Sequence, residues 1–353
     1  MTLSYGRTGG ATLAGVVCLS VALLASSVVP ASPAPHRSRH SVSKAVSTKH
    51  PAAYSPQASK ARNAKLSRAR VAARVRMVRD TPIPRYKTDA SGALVPDVHA
   101  AAAIIYNPET HQVLWEENSQ DKRSIASITK VMTAVVFVES DPDMSQVVTV
   151  ERSDAFAAST THLRAGYQIS VHDLLHLLLI SSDNAAARAL ARISPWGPAG
   201  FVARMNEKAG ELGLQSTTYA DPSGLDSSNM SSAYDMARLI AYAASDERIS
   251  EIMRKPEYTL TLGRRPITVH STNQLLTRSE MEGSVVGGKT GFIARSGYCL
   301  ATLLRVPQLN QQVAVVVLGA RSNAGRFNET RNLWGWLSSK THDMFGKKET
   351  PQE

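Results

Sequence analysis

The run Ile125-Ala-Ser127-Ile-Thr-Lys130-Val-Met-Thr-Ala-Val-Val-Phe137 sets a hydroxyl and an amine three residues apart at the head of an apolar segment. On a helical turn residues three apart share a face, so Ser127 and Lys130 come within mutual reach as a nucleophile and its base. Polar Asp121-Lys-Arg-Ser124 leads in, and the apolar residues that follow predict a buried helix starting at Ser127. A helix N-terminus also favours developing negative charge.

The spacing alone is weak, because Ser41-Val-Ser-Lys44 repeats it in a Ser/Pro/basic stretch that cannot bury a lysine. Two later motifs supply the missing context: Ser182-Asp183-Asn184, and Lys289-Thr290-Gly291 behind Gly287-Gly288. Each has bland readings. Ser227-Ser-Asn229 mimics the first, and the second could be an ordinary strand end. The ordered set of three is what carries weight. A lysine titrates near 10.4 in water, so Lys130 needs a depression of about three units to serve as a base at neutral pH. Burial and a second cation both act that way, with Lys289 as the expected cation and as a partner for a ligand carboxylate. The glycines around Lys289 are read as letting a ligand backbone lie against a strand edge.

The 353 residues suffice for one large domain or two small ones, and 43% hydrophobic content is ample for a core. The net charge of +11 is unevenly spread: Pro35 to Ala90 holds fourteen Lys/Arg against Asp80 and Asp89, a net of +12. Arg7 precedes the apolar run Ala11 to Val29, and Ala31, Ser32 and Ala34 follow, which predicts a signal peptide over residues 1–34 cleaved near Ala31 or Ala34. A retained anchor is the alternative, since the run is nearly long enough to span a bilayer. Residues 35–98 are expected to be a disordered basic linker, drawn either to nothing or to anionic wall polymer or a membrane surface through residues 35–90. Export argues against nucleic acid. Of the two cysteines Cys18 lies in the leader, so Cys299 is expected as a lone, buried apolar residue. The ten His form no ligand-spaced cluster with carboxylates, so no metal is expected.

Strand-like runs open the folded part at Ala100 to Tyr106 and Gln112 to Glu117, and others close it: Tyr258 to Leu262, Ile267 to His270, Val285 to Phe292, Tyr298 to Arg305 and Gln312 to Leu318. Helical patterns lie between, including an apolar run from Val171 to Ile193 broken at Ser181-Ser-Asp-Asn184, read as an exposed turn facing a cavity. Ser232 with Asp235 caps a helix through Ala243, and a last helix spans about Ala324 to Ser339. Strands at both ends with helices between imply one sheet joined late, with a helical insert. A domain over 99–340 and a tail over 341–353 are expected.

The three motifs together are those of penicillin-binding proteins and class A β-lactamases. Ile125-Ala-Ser-Ile-Thr-Lys-Val-Met-Thr133, Met205-Asn-Glu-Lys with Leu212-Gly-Leu214, Asp221-Pro-Ser-Gly-Leu225 and Gly288-Lys-Thr-Gly-Phe292 look like the D-alanyl-D-alanine carboxypeptidases, the low-molecular-mass penicillin-binding proteins. The resemblance covers about Ala100 to Trp336. It implies an α/β (α+β) fold of the β-lactamase/transpeptidase type, an antiparallel sheet flanked by helices with an inserted helical subdomain. It implies a serine DD-peptidase of the cell envelope acting on peptidoglycan stem peptides without a cofactor, with β-lactams as inhibitors. Ser127 would attack the D-Ala-D-Ala carbonyl and Lys130 take its proton, while Ser182 and Asn184 orient substrate and relay a proton. Lys289 and Thr290 would hold the terminal carboxylate, with Gly291 and Phe292 completing the substrate edge and the N–H groups of Ser127 and Phe292 forming the oxyanion site.

Many such carboxypeptidases read Ser-Gly-Asn at the second motif, and many carry a second domain for which little chain remains after Trp336. Both departures resemble the type-7-like members, often endopeptidases on cross-links. The competing readings are a class A β-lactamase, for which Glu211-Leu-Gly-Leu-Gln215 partly mimics the segment of the deacylating glutamate, and a catalytically silent wall-binding protein.

Overall fold

The computed structural model describes residues 84–345 except 264, 278–280, 282–283 and 308–310. These belong to the compact unit Asn63–Glu353. The expected signal peptide, most of the basic arm and Ser41 lie outside the described residues.

The centre is a five-stranded antiparallel sheet in the order Val285–Ile293, Gly297–Val306, Gln311–Ala320, Ala102–Asn107, Gln112–Glu117. The strand Ala102–Asn107, early in the fold, thus pairs with the last strand, Ala102 opposite Leu318 and Tyr106 opposite Ala314. Successive side chains of a strand point to opposite faces, and here both faces are covered. Ile104, Tyr106, Ala314, Val316 and Leu318 face one apolar cluster with the helix Ala233–Ser245, whereas Ile105, Val313, Val315 and Val317 face another with Phe327, Leu333 and Leu337 of the helix Asn323–Phe345. This is why the strands read as nearly continuous apolar runs. Cys299 is fully buried among them.

Along the chain, the helical insert lies between the strands Gln112–Glu117 and Val285–Ile293. Its axis is the helix Thr129–Glu139, buried at every position from Thr129 to Val138 and therefore apolar nearly all round. The run from Val171 forms the helix Val171–His176 and a π turn Leu177–Ser181, then breaks at Ser182 in the left-handed conformation. Asp183 restarts the chain as N-cap of the helix Asn184–Ile193, its carboxylate accepting from the Ala186 N–H at 3.0 Å. The break falls where expected, but the turn is not exposed: Asp183 is fully buried and Asn184 nearly so. Burial is affordable because each polar group finds a partner within the protein.

Two boundaries differ from expectation. The helix Glu247–Met253, capped by Asp246, has no counterpart in the sequence reading. The fold also starts before residue 99. A hairpin of Tyr86–Thr88 and Leu94–Pro96 is fastened to the last helix by an Arg85–Glu329 ion pair at 2.7 Å and by Asn332, which bonds both backbone groups of Arg85. Trp336 Nε1 donates to Leu94 O at 3.0 Å. Short, polar and half exposed, this hairpin has the composition of linker, and only its partners on a helix some 240 residues away order it.

Candidate active site

Ser127 is not the first residue of the buried helix but lies in a 3-10 turn, Ala126–Ile128, directly ahead of it. Ala126 is left-handed at φ 48°, a conformation that costs a non-glycine residue about 1 kcal/mol or more and must be held by its surroundings. Two glycines do the holding. A Cβ on Gly224 would stand 2.1 Å from Ala126 O, and one on Gly291 would stand 2.6 Å from Ile125 O and 3.1 Å from Ser127 N. The loop Asp221–Leu225 and the strand Val285–Ile293 therefore press backbone against backbone on the serine's turn. Gly287 and Gly288 meet Met253 and Asn273 just as closely. The glycine frame of the third motif serves the protein's own packing, a different reason from the ligand approach expected of it.

Lys130 is fully buried. Its Nζ lies 3.1 Å from Ser127 Oγ and 2.6 Å from Asn184 Oδ1, and it also donates to the carbonyl of Ser223. Burial pulls the amine down to about 7, with Asp221 and Asp183 opposing and Arg188 adding to the depression. The depression is therefore mainly desolvation; Arg188 adds to it, and Lys130 and Lys289 repel one another's charge across the cleft. Asn184 is fixed in turn, its Nδ2 donating to Ala158 O at 2.6 Å and Ser159 Oγ at 3.3 Å. Asp183 clips the same loop through Thr161 Oγ1 at 3.0 Å and the His162 N–H at 2.7 Å.

On the facing wall Lys289, also buried, donates to Ser182 Oγ at 2.8 Å and to Thr290 O at 2.9 Å. Its amine is held well below the usual lysine range, first by burial, then by Lys130 and Arg326. Thr290 Oγ1 donates to Thr272 Oγ1 at 2.6 Å. Between the walls is a cleft of about 210 Å³ lined by Ser127, Ser182, Asn184, Thr290, Gly291 and Phe292, together with Ser159, Thr160, Ser181, Leu225, Thr272 and Arg326. Lys130 and Lys289 stand behind this lining rather than in it.

Every sequence-predicted site residue thus reaches one cleft or the layer behind it. Sequence reasoning missed Thr272, Arg326 and the Ser223 carbonyl. Arg326 is buried, its Nη1 donating to Gly291 O at 3.0 Å and Cys299 O at 3.2 Å, while its Nε has no partner. It stacks over the Tyr298 ring, which itself stacks on the half-exposed Phe292. No local pattern marks Thr272 or Arg326, and the segment Asp221-Pro-Ser-Gly-Leu225 was recognised without showing that its Ser223 carbonyl faces Lys130. The decoy Ser227-Ser-Asn229 is a scaffold: Asn229 Nδ2 donates to Asp221 Oδ1 at 2.7 Å and its Oδ1 accepts from the Ala220 N–H at 3.1 Å, shaping the loop that presents Ser223 O. Glu211 is exposed and paired with Arg204 and Lys208. Among the described residues lining the cleft none is a carboxylate.

The sequence profile described as D-alanyl-D-alanine carboxypeptidase, peptidase family S11, matches residues 89–322. The chain is 33% identical to a D-alanyl-D-alanine endopeptidase of Haemophilus influenzae over 68% of this chain and 82% of that protein. It is 35% identical to the D-alanyl-D-alanine carboxypeptidase DacC of Escherichia coli over 68% of this chain and 62% of that protein. Its fold is similar to the crystal structure of a D-alanyl-D-alanine carboxypeptidase from Mycobacterium tuberculosis, with a TM-score of 0.65 and 25% identity over 72% of this chain and 96% of that one.

Proposed function

The chain belongs to the D-alanyl-D-alanine carboxypeptidase family, and on that premise we propose a division of labour between the walls of its cleft. It is a serine DD-peptidase that acts on peptidoglycan stem peptides through an acyl-enzyme and binds penicillin. Ser127 Oγ attacks the penultimate D-Ala carbonyl as its proton passes to Lys130 Nζ, 3.1 Å away. A buried amine near pH 7 both accepts that proton and returns it, which is the pKa a general base needs. Asn184 keeps the amine aimed at Ser127, and Ser182 carries a proton toward the leaving nitrogen. The oxyanion sits between the N–H groups of Ser127 and Phe292, a placement supported by the contact of Gly291 with the Ser127 backbone. Thr290 receives the terminal carboxylate; the Arg326 cation beside it favours the anion, and the anion in turn favours the protonated form of Lys289. Water then releases the shortened peptide.

The observation that carries this reading is the contact of a fully buried lysine with the Ser127 hydroxyl. Labelled penicillin tests it: a covalent adduct is expected on Ser127 by mass spectrometry, and an adduct on Ser182 would sink the assignment. Slow rather than rapid turnover of a chromogenic cephalosporin is expected, because none of the described residues lining the cleft is a carboxylate that could activate a deacylating water.

The same machinery serves cross-links as well as free termini, since the attacked carbonyl is of the same kind. Two features support endopeptidase action: the similarity to proteins named D-alanyl-D-alanine endopeptidases, and a rim where Phe292 stands 50% exposed. Incubation with a dimeric muropeptide and a pentapeptide is expected to yield monomers and free D-Ala; release of D-Ala with dimers intact would mean a strict carboxypeptidase.

The leader over residues 1–34 exports the chain to the periplasm or envelope, and the basic arm binds anionic wall polymer or the membrane surface through screened charge attraction. Deletion of residues 35–83 tests the arm, sparing Arg85, which is built into the fold. Sacculus binding at low salt is expected to weaken while small-substrate hydrolysis is kept; equal binding would refute it.

A further inference from the structure

Thr272 has no place in the three motifs, yet it joins both walls of the cleft. Its backbone N–H donates to Ile180 O at 3.1 Å, in the π turn that delivers Ser182. Its Oγ1 lies 2.6 Å from Thr290 Oγ1, and both threonines line the cleft. The backbone around it is pinned: Asn273, 2% exposed, accepts from the Leu275 N–H at 3.2 Å through Oδ1 while its own N–H donates to Ser271 Oγ at 3.2 Å. The hydroxyl of Thr272 is thus held in place rather than swinging free.

A threonine hydroxyl has one proton and two lone pairs. In this structure Thr290 spends its proton on Thr272. An incoming carboxylate can only accept, so to receive it Thr290 must turn that proton into the cleft. Its oxygen then needs a donor, and the group in reach is the Thr272 hydroxyl. The two then form a chain in which Thr272 O–H donates to Thr290 and Thr290 O–H donates to the carboxylate, each bond polarising the next.

We propose that Thr272 is a positioning residue for the substrate's terminal carboxylate, acting through Thr290 as the outer hydroxyl of a two-threonine relay. The inference rests on the DD-peptidase reading and adds to it a residue that the motifs do not contain. Its effect falls on substrate capture, because the relay touches the carboxylate and not the carbonyl under attack.

The test compares wild type, Thr272→Val and Thr272→Ser on an N-acyl tripeptide ending in D-Ala-D-Ala. Valine keeps the shape and removes the hydroxyl, so KM is expected to rise about fivefold, the worth of one hydrogen bond between neutral groups, with kcat within about twofold. Thr272→Ser is expected to restore KM to within about twofold of wild type, since the hydroxyl is returned. An unchanged KM in Thr272→Val, a fall in kcat as large as that in kcat/KM, or a serine variant no better than the valine one would overturn the relay. A wild type that neither cleaves this peptide nor is acylated by penicillin would overturn the DD-peptidase reading itself, and the relay with it.

Discussion

The two walls of the cleft each bury a lysine, and they differ in what surrounds the amine. Lys130 lies within the field of Asp221 and Asp183 and contacts three oxygen acceptors, so that burial brings it only to about 7. Lys289 has a hydroxyl and a carbonyl as partners and two cations, Lys130 and Arg326, in its surroundings. One amine is balanced to gain and lose a proton; the other is short of negative charge until an anion arrives. On the proposed reading the same residue type under the same burial serves as a base on one wall and an electrostatic anchor on the other, and the difference comes from Asp221 and Asp183, which lie outside the motif of either lysine.

The largest expected effect separates the walls outright. Ser127→Ala is expected to abolish labelling by penicillin with the fold intact, whereas Ser182→Ala slows acylation without ending it; residual covalent labelling of Ser127→Ala would break the contrast. Next, Lys130→Met is expected to slow acylation by about 10² to 10⁴. The same change should raise stability, and the sign follows from linkage. An amine at about 7 in the folded protein and 10.5 when unfolded carries a penalty that is complete below pH 7 and vanishes as pH rises to about 10.5, amounting to about 5 kcal/mol at most. Thermal unfolding of Lys130→Met at pH 6 and pH 10 checks this, with the gain larger at pH 6.

Gly224→Ala is expected to cost about 2 to 4 kcal/mol, because a methyl group there meets the Ala126 carbonyl and the residue is left-handed at φ 79°. Denaturant titration measures it, and a neutral result would show that the serine's turn is less tightly clamped than these contacts imply. The smallest effect concerns titration. In the wild type kcat/KM is expected to fall about tenfold per unit below a pKa near 7, as protons occupy Lys130. Arg188→Gln removes a cation that opposes the charged form, so the acidic limb should move to higher pH by a few tenths of a unit. A shift to lower pH would mean that Lys130 is tuned by something other than its neighbours' charges.

Sheet and helices were legible because strands such as Ala102–Asn107 carry nearly continuous apolar runs and because Ser232 caps the periodic helix Ala233–Ser245, while the serine helix is apolar nearly all round. The hairpin of residues 86–96 was not, since its order comes from Asn332, Glu329 and Trp336, far along the chain. The glycines of the third motif were recognised as special for a different reason from the one the structure shows, because a sequence says where a side chain is missing and not what fills the space.

By itself the sequence determined the chemistry: a serine and a lysine one helical turn apart, a second serine and an asparagine at a helix break, and a third motif on a strand. Those signals are local, set by the period of helix and strand. What only the tertiary structure decided is how that chemistry is tuned. The pKa of Lys130 depends on its burial and then on Asp221, Asp183 and Arg188, its aim on a carbonyl at Ser223, and the proposed carboxylate end of the cleft on Thr272 and Arg326. Electrostatic tuning acts through space between groups with no fixed spacing along the chain, so a motif can name Asp183 or Asp221 without recording which amine it acts on.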